Sequence, residues 1–117
     1  MIISDHKTLK AVQAEFSEKF PFLKIEFYKD AHAEGMGSPD RALLDTDKTI
    51  AEVRSVHAEG ELSIDGHKLV KNLEKEFLEK YGLNVQVFRK SGDLWLQTTS
   101  TDDWSLADQN RRGAPAE

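Results

Sequence analysis

Four histidines, His6, His32, His57 and His67, are the residues of this chain best suited to bind a metal or move a proton. Zinc needs three or four ligands converging at roughly 2.0 to 2.3 Å. None of the four shares the close H-x-x-H or H-E-x-x-H spacing that sets two imidazoles on one helix face, so no metal site and no cofactor are expected. His6 and His67 fall at matching helix starts, where the positive end of a helix disfavours a protonated ring. The tetrapeptide HAEG occurs twice, at 32–35 and 57–60. It makes His32, Glu34, His57 and Glu59 candidates for a ligand-binding loop, against the plain alternative that four common surface residues recur by chance.

Carboxylates offer less. Asp45, Asp47 and Glu52 approach the spacing of a calcium loop, but the central glycine is missing and Val56 stands where the final glutamate belongs. Asp47 serves better as a helix cap. Asp102 and Asp103 form a pair of acids before an expected short helix, which again suits capping. The chain has no cysteine, which removes thiolate nucleophiles and cysteine-based metal sites. No Ser/His/Asp order and no glycine-rich phosphate loop is present.

The elements that would position any site come in two similar sets. Residues 3–20 align without a gap on residues 64–81 with 8 identities in 18, among them His6/His67, Lys7/Lys68, Glu15/Glu76 and Phe16/Phe77. In the first set Leu9, Val12, Phe16 and Phe20 recur at helical spacing, with Asp5 as the expected cap and Pro21 as the stop. Val70, Leu73, Phe77 and Tyr81 repeat the stripe, and Gly82 ends it. Each helix is preceded by a short strand, Ile2–Ile3 or GELSI at 60–64. Each is followed by a strand of period 2, through Leu23, Ile25 and Phe27 or through Leu83, Val85 and Val87. The second set adds a hairpin with its turn at KSGD, 90–93, a return strand at 94–99, and a short helix capped by Asp102, Asp103 or Ser105 with Asp108. Between the sets, residues 30–59 are irregular, with a loop at Gly35–Asp40 and a short helix at 48–56 that turns Ile50, Val53 and Val56 inward.

These elements predict an α+β fold: a two-layer sandwich of ferredoxin-like, split βαβ type, a pseudo-repeat with an additional C-terminal strand and short helix. An α+β roll of ubiquitin-like type is the alternative. The expected organisation is a single domain over 1–113, made of repeats at about 2–29 and 61–89, the irregular connection 30–59, and a flexible tail at 114–117. Phe16 and Phe77 are the expected mirror-related centres of the core.

If Leu23, Ile25, Phe27, Val85 and Val87 face the helices, then Lys24, Glu26, Tyr28, Asn84, Gln86 and Phe88 face away, and Trp95 joins them across the hairpin. Aromatic rings on an open sheet stack bases in small RNA-binding domains, and they equally serve protein docking. Tyr28, Phe88, Trp95 and Lys24 are therefore the interaction-surface candidates. The C-terminal segment is the expected cover of that face if it is not bare, through Trp104 and Leu106. Charge weighs against nucleic acid: the formal net charge is -5, from 8 basic and 11 acidic residues over 1–60 and 8 basic and 10 acidic over 61–117. A phosphate backbone needs a positive field.

The string NVQVFRKSGDLWLQTTSTDDWSLADQN, residues 84–110, resembles a small group of bacterial proteins of the Bacteroidetes type, and the likeness weakens over the two helix regions. The resemblance implies a cytoplasmic bacterial protein and carries over no catalytic residue. Absence of cysteine fits a reducing compartment, and neither a secretory signal nor a membrane-spanning run is visible. The expected role is non-enzymatic: protein interaction or self-association, with a homo-oligomer or another protein as partner. The alternatives are single-stranded nucleic-acid binding on the open sheet face, and an enzyme or ligand-binding domain using residues 30–60.

Overall fold

A computed structural model describes residues 1–29 and 42–115. The loop expected at Gly35–Asp40, and with it His32 and Glu34, lies outside the described residues. In chain order the elements are β1 (Ile2–Ile3), α1 (Leu9–Lys19), β2 (Leu23–Tyr28), α2 (Ile50–Val53), β3 (Gly60–Glu61), α3 (Val70–Tyr81), β4 (Asn84–Ser91), β5 (Leu94–Gln97), a 3-10 turn (Thr99–Thr101) and α4 (Leu106–Gly113). The fold is mixed α+β, with two antiparallel sheets.

Both helix stripes are where the periodicity sets them. Leu9, Val12, Phe16 and Phe20 of the first and Val70, Leu73, Phe77 and Tyr81 of the second are buried in one cluster with Leu23, Ile25, Phe27, Val85 and Val87. Burying each such side chain is worth roughly 1.5 to 3 kcal/mol before entropy is subtracted. At the centre, Phe27 and Phe77 meet edge to face, with ring centroids 6.2 Å apart. Two of the sequence identities also have a reason. The Lys7 ammonium donates to Ile2 O and pairs with Glu15, while Lys68 donates to Ser63 O and pairs with Glu76. Each lysine thus closes the turn between its strand and its helix.

The strand pairing departs from the split order. A single sheet with β1 and β3 at its centre does not form among the described residues; β1 pairs only with β3, and a separate sheet runs β2-β4-β5. The chain leaves β1 and β3 after two residues to enter the helix turns, so these strands have no length left to bridge to β2 or β4. The second strands pair with each other instead. Met1 and Leu62 exchange hydrogen bonds of 3.0 and 2.8 Å, and Glu26 lies opposite Gln86.

The four α-helices among the described residues begin by one device. The first two amides of a helix have no partner within it; here they are taken by carbonyls of another helix's entry turn. Leu9 and Lys10 donate to Lys48 O and Thr46 O, both at 2.9 Å, and Ile50 and Ala51 return bonds to Lys7 O and Asp5 O at 2.8 and 3.2 Å. Val70 and Lys71 likewise donate to Trp104 O and Asp102 O at 2.9 and 2.7 Å, answered by Leu106 to Lys68 O and Ala107 to Gly66 O, both at 2.9 Å. The pairs α1/α2 and α3/α4 are thus closed head to head, through bridges Thr8↔Thr49 and Leu69↔Ser105.

This device corrects the expected caps. Thr8, not Asp5, caps α1, its hydroxyl accepting from Ala11 N–H. Thr49, not Asp47, occupies the cap position of α2, and the Asp47 amide bonds back to Asp45 Oδ1. Ser105 caps α4 through the Asp108 amide. Helix α2 is shorter than the expected 48–56 because Arg54 turns extended to reach partners elsewhere, and Val56 is exposed instead of facing inward. Gly82 ends α3 in the left-handed region (φ 68°), where a Cβ would meet Val56 Cγ2 at 2.4 Å.

Candidate interaction surface

Strand alternation and register decide which side chains share the outer face of the three-stranded sheet. Lys24 lies opposite Phe88, which lies opposite Gln97; Lys90 lies opposite Trp95. Lys24, Phe88 and Trp95 are accordingly together, with the Lys24 ammonium 5.2 Å from the Phe88 ring centroid and 5.1 Å from that of Trp95. Lys90 stands 5.8 Å from the Trp95 ring. Cations on ring faces are attracted by the negative π-face, so these faces already hold partners.

Tyr28 does not join this exposed group. It is 1 % exposed and packs with Ala42 and Phe88. The chain returns along β2 there: Lys29 N–H donates to Ala42 O, and Leu44 N–H to Phe27 O, both at 2.9 Å. Of the three candidate rings, only Trp95, 37 % exposed, faces solvent to any extent.

Helix α4 does not cover this face. Leu106 belongs to the main core, on the opposite side of the sheet. Arg89, opposite Leu23 and so on the core side, donates to Gln109 Oε1 at 2.8 Å and lies 5.6 Å from the Trp104 ring. Gln109 in turn donates to Thr101 O and Oγ1. Beyond them, Trp104, Asp108, Arg111 and Arg112 line a shallow recess in which Arg111 pairs with Asp108.

Sequence reasoning expected the return strand but missed the exposure of β5. Leu94 is 66 % exposed and Leu96 41 %, on the face opposite Trp95, so three consecutive apolar side chains of one strand meet solvent. The strand ends the sheet order, with β4 on one side. Lys90 N–H donates to Phe22 O at 2.9 Å, away from β5. Its opposite number Trp95 is therefore a non-hydrogen-bonded partner within the hairpin, and the Trp95 N–H and C=O point away from β4, to a side where no other described strand pairs. The signal was in the string LWL: a strand apolar on both faces is either buried on both or awaits a neighbour.

The second candidate group is drawn together around Asp5. Its Oδ1 accepts from Arg54 Nε and Nη2 at 3.1 and 2.7 Å, its Oδ2 is 2.8 Å from His57 Nδ1, and its amide donates to Glu59 Oε2 at 2.9 Å. Arg54 Nη1 also donates to Tyr81 O at 2.9 Å. The Arg54 hydrogen bonds are the main reason the Asp5 carboxyl sits below its ordinary range, with the His57 contact adding to them against partial desolvation. An aspartate-oriented imidazole is one part of a nucleophile-activating triad. Among the described residues no hydroxyl bonds the other ring nitrogen of His57, and no three metal-ligating side chains cluster. What the contacts do is clamp residues 54–59 to the turn before α1.

Among the described residues no helix is long and apolar enough to cross a membrane. Comparison of the chain with family models, with curated proteins and with solved structures gives no match.

Proposed function

We propose that this protein is a non-catalytic binding domain, and that its working element is the open edge of β5, which takes up another polypeptide in extended conformation. The observation that carries this reading is the run Leu94-Trp95-Leu96, exposed on an edge whose Trp95 backbone groups point outward. Natural sheets guard such edges with charge, proline or a bulge; LWLQ carries none of these. Strand addition supplies main-chain hydrogen bonds for affinity and alternating side-chain pockets for selectivity.

The alignment supports a further element of the reading, an origin of residues 2–29 and 61–89 by internal duplication of one strand-helix-strand unit. Single-stranded nucleic acid is the weaker reading, because Tyr28 is buried, the Trp95 face is occupied by lysines and the chain is acidic.

The test is selection of short extended peptides on the intact chain, followed by amide chemical-shift mapping of the best binder. The expected result is perturbation centred on Leu94–Gln97, lost in Leu96→Lys. Binders that map elsewhere, or that bind Leu96→Lys equally well, refute the reading.

A further inference from the structure

We infer that the recess on α4 is a binding site for a small anion carrying a planar ring, an aromatic phosphate or carboxylate, with Asp108 competing against that anion for Arg111. The recess shares no residue with the β5 edge. Its volume is about 460 Å³, within the range of small-molecule sites, roughly 300 to 1,000 Å³.

Helical spacing builds the recess. Asp108, Arg111 and Arg112 stand at i, i+3 and i+4 of α4 and so share one face. Trp104, immediately before the Ser105 cap, adds its ring from the entry turn. The helix backbone that carries these groups is fixed to the rest of the fold: Leu106 and Gln109 are buried, and Phe22 N–H donates to Asn110 Oδ1 at 2.9 Å. A backbone held in place lowers the ordering cost of binding.

Charge and shape name the ligand. Of the chain's five arginines, three gather at Trp104: Arg111 and Arg112 line the recess with it, and Arg89 lies 5.6 Å from its ring centroid. The partners of Arg89, Gln109 Oε1 and that ring, carry no formal charge. Arg112 has no hydrogen bond or ion pair among the described residues. Against these three cations the recess sets one lining carboxylate, Asp108, which pairs with Arg111. In a chain of net charge -5 this is a local positive excess, and guanidinium groups recognise carboxylate and phosphate through paired N–H donors. The exposed Trp104 ring offers a surface on which a second ring stacks. An anion seated on Arg112 can draw Arg111 from Asp108, since the guanidinium then exchanges one anionic partner for another.

The experiment is titration of the full chain with phenyl phosphate and with benzoate, read by amide and indole N–H chemical shifts, with inorganic phosphate and phenol as separate controls. Saturable shifts centred on Trp104, Asp108, Arg111 and Arg112 are expected with at least one aromatic anion, and the tighter of the two identifies the preferred anionic group. Each control should bind several-fold more weakly. Arg112→Gln should weaken binding several-fold, and Asp108→Asn should strengthen it by releasing Arg111, with the fold of each variant checked by circular dichroism. Absence of a saturable shift at Trp104 with both aromatic anions, a control that binds as tightly as they do, or an Arg112→Gln variant that binds equally well overturns the site. An Asp108→Asn variant that binds no more tightly overturns the competition for Arg111.

Discussion

Replacing Lys10 by proline tests the head-to-head closure of the helices. The Lys10 side chain is exposed, so Lys10→Ala should change stability by no more than about 0.5 kcal/mol. Proline is ordinarily tolerated in a helix's first turn, where the missing N–H has no helical partner. Here that N–H donates to Thr46 O at 2.9 Å. Its loss leaves the half-buried Thr46 carbonyl without that donor, at about 1 to 3 kcal/mol. For 117 residues the unfolding entropy is about 0.25 kcal/mol/K, so Tm should fall by roughly 4 to 12 °C. Proline also strains the preceding residue, which makes a melt alone insufficient. The decisive assay is hydrogen exchange: because the closure is reciprocal, Ile50 and Ala51, about forty positions away, should lose protection along with the first turn of α1. Unchanged protection at Ile50 and Ala51, or a Tm equal to that of Lys10→Ala, would refute the reasoning.

Two other outcomes follow from the described contacts. Phe77→Ala should cost about 3 to 5 kcal/mol, since the ring is fully buried against Phe27; a thermal melt within a few degrees of wild type would contradict the packing. Asp5 has a carboxyl pKa depressed on folding, so its contribution is whole above the unfolded value near pH 4 and is lost as pH falls through the lower folded value. Acid titration of stability should therefore be shallower below about pH 4 in Asp5→Asn than in wild type, and parallel curves would count against the Arg54 clamp.

Short-range pattern made much of this architecture legible. The stripes through Phe16 and Phe77 follow from a period of 3.6, and the buried faces of β2 and β4 from a period of 2, because both depend only on neighbours along the chain. Strand order was out of reach: whether β2 meets β4 directly depends on how soon the chain leaves β1 and β3, which no local preference states. The caps failed for a related reason. Asp5 and Asp47 are good capping residues, but the closure of α1 with α2 is made by main-chain atoms and sets Thr8 and Thr49 at the helix boundary. Entry turns as different as Lys7-Thr8 and Trp104-Ser105 perform it equally, so no side-chain motif announces it. For the candidate surface, attention to rings singled out Trp95 and Lys24, and also Tyr28, which is covered. It passed over Leu94 and Leu96, whose significance lies in the strand's place at the end of the sheet.

The bond from Lys29 N–H to Ala42 O brings the two ends of residues 30–41 to one point in space. Two positions held together in this way close a ring of chain, and the entropy of closing such a ring changes slowly with its length, by about 0.6 kcal/mol for each doubling. A change in the number of residues between Lys29 and Ala42 is accordingly set against a junction that the main chain already holds.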